Sequence, residues 1–241
     1  MSQQSQEPAS RPRETARRQE RADRILDAAA ALILRWGYNK TTIDDIARHA
    51  GVAKGTIYLH WNTREELFAA LMQRERAALS ADVRQRVGAD PAGATLGDTI
   101  KHSALALMRR PLLKAVLLRD MDIVGKLVHS EQSRAVYAER LIGFKSYLEF
   151  LREHGLVRSD LSLRAQVYMI GAVFAGFFLI APLMPEDYTL ADEELADLLA
   201  ETVQRALEPR PAASRPATQG VAEAYMQYLD RDDAASQDPV P

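Results

Sequence analysis

The chain has 241 residues, of which 47% are hydrophobic and 27% charged, ordinary values for a soluble globular protein of one or two domains. It contains no cysteine, which excludes disulfide bonds, thiol nucleophiles and cysteine-ligated metals and agrees with a cytoplasmic location. The 31 basic and 33 acidic side chains give a net charge of -2, which for the chain as a whole argues against a strongly basic nucleic-acid-binding protein.

Both ends of the chain are poor in apolar residues, so we predict that they are disordered. Residues 1–17 form a polar arm that lacks the apolar stretch of a secretory signal. The arm and its continuation carry five closely spaced arginines: Arg11, Arg13, Arg17, Arg18 and Arg21. Such a segment fits either a basic arm in a DNA minor groove or a solvated tail. Residues 209–241 are predicted to be largely disordered, with one candidate short helix at Val221–Leu229.

Between the two ends, apolar residues recur every three or four positions, and no segment alternates with a period of two, which predicts an all-α protein. Ile25 and Leu26 mark the first amphipathic helix, which stops at Gly37. A long helix begins at Thr63, where Thr63 and Glu66 are spaced as a capping box. The remaining predicted helices start near Thr95 and Pro111, include one over Tyr137–Leu151, and end with Ser162–Leu183 and Asp192–Leu207.

One of these helices requires a test for membrane insertion, because Val167–Met184 lacks a formal charge over nearly the shortest length that spans a bilayer. Its small residues suit close helix–helix packing, Pro182 shortens it, and neither a positive cluster nor an aromatic belt flanks it in the expected way. We therefore favour a helix buried on all sides of a soluble bundle over a membrane span.

Two short predicted helices, ending near His49 and His60, are joined by a tight turn at Gly51, which is the outline of a helix-turn-helix. One side of the second helix carries groups that bind phosphates or base edges: Lys54, Thr56, Tyr58 and His60. Gly55 leaves room for the backbone to approach a duplex, or is an irregularity of the helix. We favour DNA contact for Tyr58 and closure of the three-helix core for Trp61.

The run from Thr41 to Phe68, TTIDDIARHAGVAKGTIYLHWNTREELF, resembles the DNA-binding signature of the TetR (tetracycline-repressor-like) family, and the resemblance extends back to about Ile25. His60-Trp61 stands where the family often has Tyr-Phe, and Arg64 where Lys is frequent. The resemblance implies a transcription regulator, usually a repressor, that acts as a homodimer. It also implies a helix-turn-helix DNA-binding domain, here residues 18–64, and a helical ligand-binding and dimerisation domain, here residues 65–208.

Carried over position by position, the resemblance implies these DNA-contacting residues: Thr42, Lys54, Gly55, Thr56, Tyr58, His60 and Arg64. We expect Lys54 and Thr56 to reach base edges. The other side chains are expected to bind phosphates, which position the protein without reading the sequence. Thr42 begins the first helix of the pair, where free backbone amides also favour a phosphate.

The resemblance further implies a ligand cavity among the helices of the second domain. The candidate lining residues are Met108, Leu112, Leu117, Met121, Tyr137, Phe144, Tyr147, Tyr168, Phe174 and Phe178. This set predicts an apolar or aromatic effector, although an ordinary core position is the alternative for each residue. The histidines of this domain, His102, His129 and His154, are too far apart in sequence to indicate a metal site, so we expect no metal or other cofactor.

The resemblance places dimerisation on the last two long helices, as a four-helix bundle across a two-fold axis. The predicted interface residues are Gly171, Ala175, Gly176, Leu195, Leu199 and Val203. The dimer would place two recognition helices in successive major grooves of a palindromic operator, about 34–36 Å apart. Ligand would then favour a conformation of the long Thr63 helix in which this spacing no longer fits.

The net charge divides unevenly along the chain. Residues 1–64 hold 11 basic and 7 acidic side chains, whereas residues 65–241 hold 20 and 26. A basic reader joined to an acidic body predicts a DNA affinity that falls steeply with salt. An enzyme is not expected, because the chain lacks Gly-x-Ser-x-Gly, His-Glu-x-x-His and a phosphate-binding glycine loop. A helical enzyme with scattered catalytic residues and a membrane-anchored helical protein are the alternatives.

Overall fold

The structure is a computed structural model that describes residues 10–89, 95–118, 131–209 and 220–237, without the side chains of residues 10–13, 131–140, 232 and 235–237. Within these ranges the chain forms α-helices and short 3-10 turns and no strand, which confirms the all-α prediction. The chain divides into a smaller unit ending at Met72 and a larger unit beginning at Gln73. This boundary lies beyond residue 64, where the sequence analysis placed the end of the first domain.

Helix α1, Ser10–Trp36, buries Ile25, Ala29 and Ile33 along one face. The prediction of a disordered arm over residues 1–17 is wrong for residues 10–17, which belong to α1, while residues 1–9 lie outside the described residues. Helix growth is cooperative, so a helix fixed by its buried face adds further turns without a new nucleus. Pro12 stands in the first turn, where its missing amide proton is not required.

The next two helices are α2, Ile43–Ala50, and α3, Lys54–Tyr58. Thr42 caps α2 and forms a capping box with Asp45, which fixes the start of the helix. Gly51 ends α2 with φ of +66°, a left-handed conformation that favours glycine and turns the chain sharply into α3. Ile46 and Ile57 are fully buried, so α2 and α3 are held in place by apolar contacts within the smaller unit.

Helix α4, Arg64–Ala89, begins in the smaller unit and continues into the larger one. The larger unit then contains α5 (Leu96–Met108), α6 (Pro111–Leu117), α7 (Glu131–Glu153), α8 (Leu163–Ile180), α9 (Asp192–Leu207) and α10 (Val221–Gln237). A capping box of Thr95 and Asp98 starts α5, and Pro111 starts α6 at a position where proline is favourable. Helix α9 packs along α5, and α10 packs along α7.

Helix α10 corrects the prediction of a largely disordered C-terminal tail. The candidate helix at Val221–Leu229 is present and continues to Gln237, while residues 210–219 and 238–241 lie outside the described residues. Val221, Tyr225 and Leu229 recur every four residues and are buried. An isolated helix of this length is marginal in water, so the packing of this stripe against α7 stabilises it.

Helix α8 corrects the prediction of a helix buried on all sides. Leu163–Leu183 is long and apolar enough to cross a membrane by length and composition, and 17% of its most apolar window is buried. Ile170 and Phe178 are buried, whereas Tyr168 and Leu179 are exposed. Among the described residues α8 packs mainly on α7 and α9, and much of its surface stays uncovered.

Helix α9 corrects two of the predicted interface residues. Leu199 is 0% exposed and Val203 is buried, because they belong to the stripe of α9 that packs on α5. The two helices approach closely at Gly97, where a Cβ would lie 3.1 Å from the Ala200 carbonyl oxygen. The opposite side of α9 carries Leu198, which is 41% exposed. Leu199 and Val203 are therefore core residues of a single chain.

Candidate nucleic-acid interface

Helix α3 presents polar side chains to solvent because Ile57 is buried and holds the helix against the core of the smaller unit. Ile57 is 0% exposed, and Tyr58, the next residue, is 45% exposed. Lys54 lies on the exposed side one turn earlier, and Thr56 is half-buried between the two sides. The helix has five residues, so its exposed surface is compact enough to enter a major groove.

Lys54 forms an ion pair with Asp44 of α2, with 2.8 Å between Lys54 Nζ and Asp44 Oδ2. The hydrogen bond to Asp44 raises the pKa of Lys54, which therefore stays protonated at neutral pH. Both side chains are at least half exposed, and exposed ion pairs are weak because water screens their charges. The ammonium group can therefore exchange this carboxylate for a phosphate or a base edge at small cost.

Gly55 has no internal reason to be glycine. A Cβ built at this position meets no atom of the protein within 4 Å, and its backbone does not require a positive φ. Alanine would therefore fit and would favour the helix by about 0.5–1 kcal/mol. The glycine at this exposed position of α3 would let an external partner approach the backbone closely.

Thr42 is exposed at the start of α2, but its hydroxyl already serves the helix cap. Thr42 Oγ1 accepts a hydrogen bond from the Asp45 amide at 3.2 Å and donates one to Asp45 Oδ2 at 2.6 Å. The bond from Thr42 lowers the pKa of Asp45, which keeps this carboxylate charged. A phosphate at this helix start would therefore approach the carboxylates of Asp44 and Asp45, which weakens the case for Thr42 as a phosphate ligand.

The C-terminal end of α3 lies beside the basic part of α1. Arg18 donates a hydrogen bond to the Leu59 carbonyl at 3.4 Å. Burial, together with the charges of Arg18 and Arg21, lowers the pKa of His60 below its usual 6.5. Its ring lies 5.2 Å from that of Trp61, which is half-buried. The arrangement gathers two arginines and a histidine at one edge of α3, which suits a negatively charged partner.

Arg64 makes contacts within the smaller unit that the sequence did not predict. Its guanidinium lies 4.1 Å from the ring centroid of Tyr38 and 5.3 Å from that of Phe68, and it donates a hydrogen bond to the Tyr38 carbonyl. Tyr38 is buried and packs edge-on against Phe68. Arg64 therefore ties the start of α4 to the turn after α1 inside the smaller unit, and its phosphate contact stays a prediction.

Sequence reasoning missed three features of this surface. Asp44 pairs with Lys54, Leu59 is 70% exposed at the end of α3, and Arg18 reaches the end of α3 from α1. The contact between Asp44 and Lys54 depends on the angle between α2 and α3, which no sequence pattern specifies. The position of Leu59 was readable, because it directly follows Tyr58 on the side away from Ile57.

Among the described residues, the predicted ligand-lining side chains differ in burial and lie on several helices. Leu112, Tyr147 and Phe178 are buried; Met108, Phe144 and Phe174 are half-buried; Leu117 and Tyr168 are exposed; Met121 and the side chain of Tyr137 lie outside the described residues. Phe174 and Phe178 pack on each other along α8, with 5.2 Å between ring centroids. Phe144 and Tyr147 belong to a separate cluster on α7.

That second cluster includes two residues from the tail that the ligand prediction omitted. Tyr225 of α10 lies 5.1 Å from Tyr147, and Tyr228 lies 5.8 Å from Phe144, between ring centroids. Burial raises the pKa of Tyr147 far above its usual value, so its hydroxyl stays protonated. The omission followed from the assignment of residues 209–241 to disorder.

Comparison with known proteins finds a family model that matches the helix-turn-helix region. A family model described as "Bacterial regulatory proteins, tetR family" matches residues 25–71. A helix-turn-helix-type transcriptional regulator of Mycobacterium tuberculosis is 33% identical over 125 residues, which cover 51% of this chain and 59% of that protein. The transcriptional regulator SrpR of Pseudomonas putida is 24% identical over 179 residues, covering 74% of this chain and 80% of that protein. The chain thus spans less than two thirds of the length of the mycobacterial relative.

Two solved structures extend the similarity to the larger unit. NalD, described as the secondary repressor of the MexAB-OprM multidrug efflux pump in Pseudomonas aeruginosa, has a TM-score of 0.61 and 20% identity, over 81% of this chain and 99% of that one. SmeT of Stenotrophomonas maltophilia, in complex with triclosan, has a TM-score of 0.57 and 19% identity, over 81% and 95%. At these identities the similarity shows a shared helical fold.

Proposed function

Because the chain belongs to the TetR family of bacterial regulatory proteins, we propose that it is a cytoplasmic transcriptional repressor that binds a palindromic operator as a homodimer. In this proposal a small apolar or aromatic effector releases it from DNA. The observation that carries the proposal is the geometry of α3, where a fully buried Ile57 leaves Lys54 and Tyr58 directed to solvent. That geometry suits insertion of α3 into a major groove.

Each side chain of the surface receives a role in this proposal. Lys54 and Thr56 read base edges, with Lys54 leaving Asp44 as it enters the groove. Tyr58 and His60 bind phosphates on either side. Arg18 joins them, because its guanidinium already lies at the end of α3. The excess of basic residues in residues 1–64 supports binding that weakens steeply with salt.

The proposed dimer uses the uncovered surface of α8. Its exposed side carries Tyr168, Gly171 and Leu179, and a Cβ at Gly171 would meet no atom of the same chain. An apolar surface of this length is costly in water, which favours its burial against an identical copy. The exposed side of α9, with Leu198, extends this surface in place of Leu199 and Val203.

Effector release has indirect support. The solved relatives include proteins described as repressors of multidrug efflux pumps, one of them in complex with triclosan. The larger unit of this chain contains clusters of aromatic side chains that suit a flat apolar ligand. A ligand acts only through its difference in affinity for the DNA-binding and the released conformations.

The test is a mobility-shift titration with the DNA upstream of the gene. Lys54→Ala and Tyr58→Ala should each weaken specific binding by about 1–3 kcal/mol, equivalent to roughly 5- to 150-fold. Lys101→Ala is the matched control, because Lys101 also pairs with an aspartate but lies in the larger unit. Tyr58→Phe separates the hydroxyl from the ring. Unchanged binding by both alanine variants would refute the assignment of α3.

A further inference from the structure

Helix α10 fills a slot between α5 and α7 with two tyrosine side chains. Tyr225 is buried with its ring 5.1 Å from that of Tyr147, and Tyr228 lies 5.8 Å from Phe144 and 5.5 Å from Tyr225. Gly143 of α7 has no side chain, so the Tyr228 ring can lie close to the backbone there. A Cβ at this position would lie 3.2 Å from Tyr228 Cδ2. The slot is therefore shaped for planar aromatic rings.

On the α5 side of the slot, Ser103 and Thr99 offer hydrogen-bond acceptors that favour a hydroxyl donor. Ser103 Oγ donates its one proton to the Thr99 carbonyl at 2.8 Å, so it accepts from the Tyr225 hydroxyl, which lies 2.5 Å away. In the same way, Thr99 Oγ1 donates to the Leu96 carbonyl and accepts from the Tyr147 hydroxyl at 3.3 Å. The hydroxyl oxygens of Thr99 and Ser103, one helical turn apart on α5, thus both accept hydrogen bonds from phenolic hydroxyls.

Helix α10 is attached by an apolar stripe along α7 and by polar contacts to α4. Its buried stripe consists of Val221, Tyr225 and Leu229. Its other attachment is a polar latch to α4, formed by Arg84 and Ser80 with two aspartates of α10. Arg84 Nη2 lies 2.6 Å from Asp230 Oδ1, Arg84 Nη1 lies 2.8 Å from Asp233 Oδ2, and Ser80 donates to Asp233 Oδ1 at 2.7 Å. The latch residues are partly exposed, so each ion pair is weak because water screens its charges.

We propose that this slot is a binding site for small phenols and that α10 is its tethered, displaceable occupant. A phenol enters by taking the place of the Tyr225 side chain. Its hydroxyl donates a hydrogen bond to Ser103 Oγ, and its ring packs on Tyr147. Displacement of α10 then frees Ser80 and Arg84 on α4, the helix that continues into the smaller unit. Binding of a phenol in this slot does not depend on the proposed function. The further step, that such a phenol is the effector that releases DNA, rests on the proposed function.

The probes are 4-methylphenol, which is the tyrosine side chain itself, and toluene, which lacks only the hydroxyl. Calorimetry on the full chain should give an affinity for 4-methylphenol about two- to tenfold higher than for toluene, the range expected for one net hydrogen bond. Hydrogen exchange should show faster exchange of residues 220–237 when either compound is bound, because the occupant helix leaves the slot.

Two variants separate the acceptor from the latch. Ser103→Ala should bring the affinity ratio of 4-methylphenol to toluene close to one, because the acceptor is gone for ligand and occupant alike. Arg84→Gln should raise the affinity for both compounds by about two- to tenfold and leave their ratio unchanged, because the closed state is less favoured. Lys145→Gln is the matched control, since Lys145 forms an exposed ion pair with Glu149 on α7. Both test residues are partly exposed, so the folded state is retained.

Three results would overturn the proposal. They are absence of 4-methylphenol binding to both wild type and Arg84→Gln, binding without faster exchange of residues 220–237, and an affinity ratio that Ser103→Ala leaves unchanged. None of these measurements contains DNA, and the mobility-shift test of the regulator contains no phenol. A failed slot and a failed DNA-binding assignment are therefore distinguishable.

Discussion

The smaller unit and the larger unit differ in how they cover apolar side chains. In the smaller unit, α1, α2 and α3 bury Ile25, Ile46 and Ile57 completely, and two of its large exposed apolar side chains, Tyr58 and Leu59, lie on or beside α3. In the larger unit, α8 is mostly uncovered. The smaller unit completes its core within one chain, whereas α8 of the larger unit keeps an apolar surface that the proposed dimer would cover with a second copy.

Helix α9 allows the same comparison within the larger unit, because Leu199 packs on α5 whereas Leu198 is exposed. Leu199→Ala should lower the free energy of unfolding by about 2–5 kcal/mol, since it leaves a cavity against α5. Leu198→Ala should change chain stability by less than about 0.5 kcal/mol but weaken association of the two copies. Urea unfolding at one protein concentration, with sedimentation velocity, measures both effects. Equal losses of stability in the two variants would contradict the assignment of opposite sides.

A charge on the uncovered face of α8 should prevent the proposed dimer from forming without unfolding the chain. Gly171→Asp should weaken dimerisation by about 100-fold or more, because an unpaired carboxylate at an apolar interface costs several kcal/mol. Gly88→Asp on α4 is the matched control, since a Cβ meets no atom within 4 Å at either glycine. Sedimentation equilibrium gives the dimer constant and circular dichroism the helix content. A Gly171→Asp protein that dimerises like the control would sink the proposed interface.

Two glycines of the smaller unit should respond in opposite ways to the same substitution. Gly51→Ala should cost about 1–2 kcal/mol of stability, because a Cβ is unfavourable at φ of +66°. Gly55→Ala should stabilise the protein by up to about 1 kcal/mol, yet weaken operator binding if the backbone of α3 approaches DNA. Thermal unfolding and the mobility shift report the two effects. Full operator affinity in Gly55→Ala would mean that α3 does not approach DNA at this point.

The smallest expected effect is a pH dependence that arises from His60. Because its pKa is lowered in the folded protein, the unfolded chain takes up a proton first as pH falls through 6.5, so stability decreases below that pH. A bound phosphate would raise the pKa of His60, so operator affinity should increase as pH falls from neutrality. His60→Gln should flatten both profiles. His154→Gln is the control, and the same flattening there would remove His60 as the cause.

The helices, their caps and the recognition surface were predictable because they depend on neighbours in sequence. Thr42 and Asp45 cap α2, Gly51 forms the left-handed turn, and Thr95 and Asp98 cap α5, each through contacts spanning a few residues. Lys54 and Tyr58 share a side of α3 because they are four residues apart, which follows from helical periodicity alone.

Tertiary structure decided what those helices touch. Arg64 packs on Tyr38, from which it is separated by the whole helix-turn-helix, and α10 is ordered by an aromatic slot on helices far from it in sequence. Leu198 and Leu199 look alike in the sequence, but only one faces α5. The sequence by itself determined where helices form and which residues share a face, because those depend on backbone hydrogen bonds and a fixed periodicity. The structure decided which face is covered, because burial depends on the arrangement of distant segments in space.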